Sequence, residues 1–444
     1  MQIFSSLFDR AMHKTVLMLA IPMVLSNITV PLLGLVDAAV IGHLEHAYYL
    51  GGVALGSTML SVTFWLLGFL RMSTTGLTAQ AYGADNRKQL ALVLIQGLAM
   101  ALGFALIFLL LKPWLADWVF SFSDASQDVK FYGQQYFAIR AWSAPAALSN
   151  FVLLGWLLGT QNGRAPMWMV IISNLTNILL DVWFVVGLEW KVEGAALASV
   201  ISDYTAMAFA LCCVFNTWRR QAMPALSVVV GDIASDIGRF IKLNRDIFLR
   251  SLCLQAAFSF MTFQGASFGD DIVAANAVLM SFLMIISYGM DGFAYAMEAL
   301  VGKAIGANNR SELSVSMLGT SFWGLVICTL LAIVFAFSGE WLITLITDIP
   351  VVQQQANVYL PWLVAMPLVS MWCFLLDGIF IGATKGREMR NGMVVAVSSF
   401  FMVYYACSDW GNHALWFAML TFMAMRGISL AWVMWRQWQQ GRFI

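Results

Sequence analysis

The sequence predicts an all-α integral membrane protein in which twelve transmembrane helices form two pseudo-symmetric six-helix lobes around a central cleft. This prediction rests on an apolar composition, twelve apolar runs and an internal repeat. Of the 444 residues, 61% are hydrophobic and 11% are charged, whereas a soluble domain carries about 25% charged residues. So few charges cannot cover a water-exposed surface of this size. The formal net charge of zero offers no attraction for nucleic acid, and no nucleic-acid partner is expected.

Apolar runs define the helices, because about 20 apolar residues cross the hydrocarbon core of a bilayer. The predicted spans are 15–42, 50–77, 89–112, 130–159, 165–187, 193–216, 241–267, 272–301, 312–337, 355–384, 389–407 and 412–435. The longest polar-leaning connection, 216–240, separates six spans from six. We therefore predict an N-terminal lobe over 1–216, a cytoplasmic linker over 217–240 and a C-terminal lobe over 241–444.

Two pairs of segments repeat at one constant offset. "AQAYGADNRKQL" (79–90) matches "GKAIGANNRSEL" (302–313), and "FVLLGWLLGTQNGR" (151–164) matches "FLLDGIFIGATKGR" (374–387), both at an offset of 223 residues. Two separated matches with the same offset indicate an internal duplication. Because each half has an even number of spans, the halves share one topology and are related by an axis along the membrane normal, as in parallel-repeat transporters.

Basic residues in the connections predict the orientation, since cytoplasmic loops carry an excess of Lys and Arg. The N-terminus, the even-numbered connections and the C-terminal tail hold most of them, namely Arg10, Lys14, Arg87, Lys88, Arg164, Arg219, Arg220, Arg239, Arg310, Lys385, Arg387, Arg436 and Arg442. The odd-numbered connections hold Lys112, Lys130 and Lys191. Both termini are therefore predicted to be cytoplasmic.

No pattern typical of an enzyme emerges. The pair Gly302–Lys303 is followed by Ala304 rather than Ser or Thr, so it is not a phosphate-binding loop. The six cysteines and four histidines lack metal-ligand spacing. We expect neither catalysis nor a cofactor, and we expect uphill transport to draw its energy from an ion gradient.

Acidic residues inside the predicted spans are the strongest functional signal. They are Asp37, Asp181, Asp203, Asp291, Glu298 and Asp377. An ionised Asp at the bilayer centre costs about 2.5–3.5 kcal/mol on insertion scales, and such residues face a partner or a wet cavity. Burial disfavours the charged form of a carboxylate, which allows proton exchange near neutral pH. These acids are therefore candidates for proton coupling.

The fifth span places an amide beside an acid. Asn177 and Asp181 are four residues apart and share a helical face, which Asn174 borders. An amide hydrogen-bonds either protonation state of a carboxylate, which suits a group that changes charge. A static clamp between helices is the alternative interpretation. A structural role also stays open for Asp291, Glu298 and Asp377, because Arg250 in the seventh span can neutralise one of them. Asp203 is interpreted as lying near an end of the cavity.

The first span contains two prolines, Pro22 and Pro31. About 28 residues at 1.5 Å each make a helix of about 42 Å, longer than the ~30 Å hydrocarbon core, so tilt or a kink is expected. A mobile kink next to a titratable acid and a static proline kink both fit this pattern.

Four segments resemble the multidrug and toxic compound extrusion (MATE) family, in its DinF-type branch. They are "PLLGLVDAAVIGHL", "FLRMSTTGLTAQAYGA", "NILLDVWFVVGLEWKVEGAALAS" and "LLDGIFIGATKGREMRN". The resemblance covers essentially the whole chain. It implies two six-helix lobes, alternating outward- and inward-open states, and cation-coupled export of lipophilic, often cationic, drugs.

The resemblance also implies site residues. In proton-coupled members a polar cluster of the N-terminal lobe takes up the proton, and Pro22 matches a proline of helix 1 that bends on protonation. The matching cluster here is Asp37, Tyr136, Asn177, Asp181 and Ser199. Ser199 stands where many relatives carry Thr, which keeps the hydroxyl. Sodium-coupled relatives use acids of the C-terminal lobe; Asp377 resembles one, but Gln255 lies where those relatives carry Glu.

The expected function is proton-coupled antiport of lipophilic, often cationic, drugs and toxic compounds, with protonation of an N-lobe aspartate and bending of helix 1 triggering release. The expected partners are such compounds, protons and membrane lipids, for a monomer in the bacterial inner membrane. Sodium coupling is an alternative, as is export or flipping of amphipathic lipids or bile-salt-like anions. A flippase for lipid-linked sugars would need several basic residues, for which Arg140, Arg250 and Arg426 are candidates.

Overall fold

A computed structural model describes residues 10–42, 44–121 and 125–443, apart from the side chains of Leu32, Leu35, Asp37, Ala38 and Val119. Throughout these residues the regular structure is helical. The first eight helices are α1 Arg10–Gly42, α2 Ala47–Leu66, α3 Phe69–Gly83, α4 Arg87–Ser121, α5 Gln127–Arg140, α6 Ala144–Gly159, α7 Arg164–Asp181 and α8 Lys191–Arg220. The others are α9 Leu226–Gly231, α10 Ile237–Ala266, α11 Asp270–Gly306, α12 Arg310–Ile346, α13 Pro350–Gly382, α14 Gly386–Ala406 and α15 Asn412–Gln439.

Apolar helices dominate, as the composition predicts. Ten helical segments of the described residues are long and apolar enough to cross a membrane, judged by length and composition. Helices α10 and α14 correspond to the two remaining predicted spans. The twelve predicted spans thus all coincide with helical segments, and the all-helical fold class is confirmed.

Two predicted spans are interrupted rather than continuous. The span predicted at 50–77 divides into α2 and α3, and the span at 130–159 divides at a 3₁₀ turn, Ala141–Ser143. Pro145 lies in the first turn of α6, where its missing N–H costs no helical hydrogen bond. The proline therefore favours the start of a new helix at this position.

The chain forms two compact units. The N unit is Leu25–Gly238, and the C unit joins Arg239–Ile444 to the start of the chain up to Val24. The predicted lobes assign all of helix 1 to the N-terminal half, whereas the compact units divide inside α1, shortly after Pro22. Helix α1 therefore contributes to both units.

Each part of α1 is held within its own unit. In the C unit, the Trp323 indole N–H donates to Nδ1 of His13 over 3.0 Å. In the N unit, the Asn174 amide donates to the Thr29 hydroxyl over 2.7 Å. Pro22 lies between these two attachments and offers no backbone N–H to the helix. The helix is thus anchored on both sides of its first proline.

The connection after α8 belongs to the N unit. The buried Gln96 amide of α4 donates to the backbone carbonyls of Ile233 and Ser235, each over 2.8 Å. Lys88 and Asp232 form an ion pair of 2.6 Å. These contacts hold the predicted linker region against α4.

Glycines at equivalent repeat positions permit close helix packing in each unit. A Cβ on Gly155 would lie 2.5 Å from the carbonyl oxygen of Arg71, so α6 approaches the α3 backbone directly. At the matching position, a Cβ on Gly378 would lie 2.7 Å from the carbonyl oxygen of Ala294, between α13 and α11. Small residues let helices approach closely in membranes. The repeat seen in the sequence therefore corresponds to a repeated packing contact.

Candidate functional site

The N unit contains a cavity of about 440 Å³. Apolar side chains of α1 and α2 form most of its wall, and polar groups of α5 and α8 complete it. The lining residues are Val30, Leu33, Gly34, Leu50, Val53, Ala54, Ser57, Leu60, Ser61, Phe64, Tyr136, Arg140 and Ser199. An apolar pocket with few convergent polar groups is the usual form of a small-molecule site. The cavity thus suits a lipophilic molecule with a small polar group.

A polar chain leads from this cavity into the N unit. The Ser199 hydroxyl lines the cavity and accepts a hydrogen bond of 3.0 Å from the Asn177 amide. Asn177 is 2% exposed, and Asp181, one turn further along α7, is 1% exposed. The hydrogen bond from the cavity wall thus reaches Asn177, and a buried carboxylate lies one helical turn beyond it.

Asp181 also lies where the backbone of the fifth span changes. It ends α7, and a π-helical segment, Val182–Gly187, follows at once. Single π turns inside helices occur frequently at functional sites. The backbone irregularity and the buried acid therefore coincide.

Tyr136 and Asp37 are the other two residues predicted for the N-terminal cluster. Tyr136 lines the cavity and is 6% exposed. Asp37 belongs to α1, one turn beyond Leu33 of the cavity wall. The side chain of Asp37 lies outside the described residues, so its role stays a prediction.

Arg140 and Asp203 form an ion pair in the N unit. The Arg140 Nη1 atom lies 2.7 Å from Oδ2 of Asp203, and each side chain is 19% exposed. Arg140 also donates to the Ser143 hydroxyl. Sequence reasoning placed Asp203 near an end of the cavity but missed this pairing. The available signal was one basic and one acidic residue isolated in two apolar spans.

In the C unit, the buried Asp377 is bonded to two arginines. Oδ2 of Asp377 accepts hydrogen bonds from Nη2 of Arg250 and from Nη2 of Arg426, the latter over 2.7 Å. All three side chains are buried. Arg250 was expected to neutralise one of three acids, and its partner is Asp377. Two guanidinium groups thus occupy the surroundings of the carboxylate.

The other candidates of the C-terminal half lie on α10 and α11. Glu298 is buried at 1% exposure in α11, and Asp291 of the same helix is half-buried. The Gln255 amide donates to Ser259 of its own helix over 3.1 Å. The described residues contain no cluster of three or more His, Cys, Asp or Glu side chains suited to a metal ion.

A family model identifies the chain. The MatE model matches residues 22–183 and 247–406, one match in each half of the sequence. The chain belongs to the MatE family. The resemblance stated from the four sequence motifs is therefore confirmed.

Similar proteins agree with this membership. The chain is 46% identical to DNA damage-inducible protein F of Escherichia coli (strain K12), over 99% of this chain and 97% of that protein. It is 24% identical to Multidrug and toxin extrusion protein 1 of Mus musculus, over 72% of this chain and 56% of that protein. The crystal structure of MATE in the bent conformation superposes with a TM-score of 0.82 at 18% identity, covering 98% of this chain and 97% of that one.

These findings establish the class of the protein. It is a transporter of the multidrug and toxin extrusion type, and it is a multi-pass protein of a bacterial inner membrane. The structural likeness shows that the MATE fold is shared.

Proposed function

We propose that the protein is a proton-coupled antiporter that exports lipophilic small molecules by alternating access. The observation that carries this proposal is the hydrogen bond between the cavity-lining Ser199 and the buried Asn177, which lies one helical turn from the buried Asp181. The apolar cavity accommodates the exported molecule, and the buried acid takes up the proton.

The neighbours of Asp181 suit a change of charge. An ionised carboxylate is costly in this surrounding, and protonation removes that cost. The Asn177 amide carries both donor and acceptor atoms, so it can bond either form of the acid. Proton uptake at Asp181 can therefore alter the hydrogen bonding of Asn177 and, through it, of the cavity-lining Ser199. Asp37 is proposed to share in this uptake, because its position follows the cavity-lining turn of α1.

Bending of α1 is the proposed link between protonation and release. Val30, Leu33 and Gly34 of α1 form part of the cavity wall, and Pro22 weakens the helix before them. The solved MATE structure described as bent shares this fold. A bend at Pro22 would move the α1 wall and reduce the space available to the bound molecule.

The C unit favours protons over sodium as the coupling ion. A sodium ion at Asp377 would lie beside the guanidinium groups of Arg250 and Arg426, both already bonded to the same carboxylate oxygen. Like charges in a buried site repel strongly. Neither arginine lines the N-unit cavity, and both are buried beside Asp377, which speaks against a flippase that holds the pyrophosphate of lipid-linked sugars between several cavity arginines.

The energy of one proton limits the gradient that the exporter can build. A membrane potential of 100 mV contributes about 2.3 kcal/mol per charge, and each pH unit contributes about 1.4 kcal/mol. Because each 1.4 kcal/mol is a factor of ten in concentration, a potential of 100 mV and one pH unit together support roughly a several-hundredfold gradient of an uncharged molecule that is exchanged for one proton.

The test uses purified protein in vesicles with an imposed proton gradient or an imposed sodium gradient. Movement of one fluorescent lipophilic cation and one fluorescent lipophilic anion is followed, together with an internal pH dye. We expect movement driven by protons in the wild type and its loss in Asp181→Asn and in Asp37→Asn. Asp85→Asn is the matched control, because the Asp85 side chain is 90% exposed.

Two results would contradict the proposal. Movement of either dye driven by a sodium gradient alone would mean that the coupling ion binds at another site. Proton-driven movement that survives both Asp181→Asn and Asp37→Asn would remove the N-unit acids from the coupling mechanism.

A further inference from the structure

The charged group in the described lining of the N-unit cavity is basic. Among the described side chains that line the N-unit cavity, Arg140 is the charged one. Its acidic partner Asp203 is not part of the lining, although the two are joined by an ion pair of 2.7 Å. A molecule in the cavity therefore meets a guanidinium group rather than the paired carboxylate.

Arg140 has donors left for a ligand. A guanidinium group carries five N–H donors. The Nη1 atom donates to Ser143 and to Asp203, and the Tyr136 hydroxyl is a further hydrogen-bonding neighbour of the same group. At least two donors then remain, and the side chain keeps 19% of its surface exposed. The group is held in place but is not saturated.

The surroundings hold Arg140 against the wall. Asp203 is fixed in turn, because its backbone carbonyl accepts a hydrogen bond of 3.0 Å from the Asn150 amide. A pre-positioned guanidinium suits an oxyanion that offers two acceptor oxygens to it, such as a carboxylate or a sulfonate. The apolar walls of α1 and α2 suit a hydrocarbon or ring system attached to such a group.

We propose that Arg140 recognises the acidic head group of amphipathic organic anions, whose apolar body fills the cavity between α1 and α2. This inference rests on the proposed exporter function and names its substrate class. Asp203 and the bound acid would share one guanidinium. The C unit contains the inverse arrangement, in which the single carboxylate of Asp377 is shared by two guanidinium groups.

Release of an anion depends on the wall of the cavity rather than on charge repulsion. Protonation of a nearby acid removes negative charge and so does not repel an anionic ligand. Val30, Leu33 and Gly34 of α1 border the same space. Bending of α1 after Pro22 would narrow this space whatever the charge of the occupant.

The experiment measures equilibrium binding to the full chain in detergent, with no ion gradient. The probes are 1-naphthalenesulfonate and (1-naphthylmethyl)trimethylammonium, which share a ring system and have permanent, opposite charges. Isothermal titration is performed on the wild type, Arg140→Gln, Arg140→Lys and Asp203→Asn. The matched control is Arg87→Gln, because Arg87 lies outside the cavity with a side chain that is 52% exposed.

We expect the wild type to bind the sulfonate more tightly than the ammonium compound. Loss of a charged hydrogen bond in Arg140→Gln should weaken sulfonate binding about tenfold or more, with a smaller loss in Arg140→Lys. Asp203→Asn should strengthen sulfonate binding, because it removes the competing carboxylate. Arg87→Gln should leave both affinities unchanged.

Tighter binding of the ammonium probe by the wild type would overturn the proposal, and this comparison needs no variant to fold. Equal sulfonate binding by the wild type and a folded Arg140→Gln would also overturn it, as would weaker sulfonate binding in Asp203→Asn. Because no gradient is present, these outcomes are independent of proton coupling. Failure of the antiport test in vesicles would leave the binding result standing.

Discussion

Two buried aspartates, one in each unit, have opposite surroundings. Asp181 of the N unit lies one helical turn from the Asn177 amide, which bonds the Ser199 hydroxyl. Asp377 of the C unit accepts hydrogen bonds from two buried guanidinium groups. The two halves share an internal repeat, yet one acid lies one turn from a neutral amide and the other is bonded to two positively charged groups.

The difference between these surroundings indicates which of the two acids can change its charge at low energetic cost. Two adjacent guanidinium groups stabilise the ionised form of Asp377, so protonation there would leave two buried positive charges without their counter-charge. The turn next to Asp181 carries the neutral Asn177 amide, which does not favour the ionised form of the acid in this way. We therefore expect Asp377 to have a structural role, because removal of one partner of such a cluster leaves an uncompensated buried charge.

The largest expected effect comes from breaking the C-unit clamp. We expect Asp377→Asn to lower the free energy of unfolding by about 3–5 kcal/mol, because it strands Arg250 and Arg426 in a buried site. The measurement is the melting temperature in detergent. Asp181→Asn, which leaves no arginine stranded among the described contacts, should change the stability by no more than about 1 kcal/mol.

This pair of variants tests the comparison directly. An equal loss of stability in Asp181→Asn and Asp377→Asn would mean that both acids are structural. The double variant Asp377→Asn with Arg426→Gln should recover part of the loss, since it removes one of the stranded charges. Asp85→Asn, at an exposed position, should melt like the wild type.

A smaller effect is expected from removing the hydroxyl that joins the cavity to Asn177. Ser199→Ala leaves the buried Asn177 amide without this acceptor, which costs about 1–3 kcal/mol, and it should slow proton-driven dye movement. Ser199→Thr keeps the hydroxyl and should retain transport. The measurements are melting temperature and initial transport rate, with Ser61→Ala as a control that removes another cavity hydroxyl. Identical rates for Ser199→Ala and Ser61→Ala would argue against the polar path.

The smallest effect is expected at the helix that belongs to both units. Pro22→Ala restores one backbone donor to α1 and should favour the straight helix by about 1 kcal/mol, a factor of about 5 in the bending equilibrium. We expect slower transport and a slightly higher melting temperature. Pro31→Ala is the matched control, because Pro31 lies on the same helix but entirely within the N unit. Slower transport in Pro31→Ala than in Pro22→Ala would place the hinge elsewhere.

Several features of the site could be predicted from local patterns. The four-residue spacing of Asn177 and Asp181 places them on one face of α7, because the helical period is a local property. The offset of 223 residues predicted equivalent halves, and Gly155 and Gly378 make equivalent close contacts. The two interruptions, at Leu67–Gly68 and at Ala141–Ser143, were missed because the apolar runs continue through them.

The partners of the charged side chains could not be predicted in this way. Arg140 pairs with Asp203 across 63 residues, and Arg250 pairs with Asp377 across 127 residues. Such pairs depend on which helix faces lie together, and no local period specifies that. From the sequence, Arg250 could pair with any of three acids. The packing of α10 against its neighbours places it beside Asp377.

The amino-acid sequence by itself determined that this chain crosses a membrane and that its halves are duplicated. It also determined that acidic residues and prolines lie inside apolar spans, where they are energetically unfavourable. These properties follow from hydropathy, helical period and repetition, which are local or one-dimensional. Only the tertiary structure decided that Asp377 is bonded to two arginines, that Asn177 is bonded to Ser199 at a cavity, and that the cavity wall carries Arg140. The physical reason is that the charge state a buried group favours depends on its neighbours in space, and those neighbours come from distant parts of the chain.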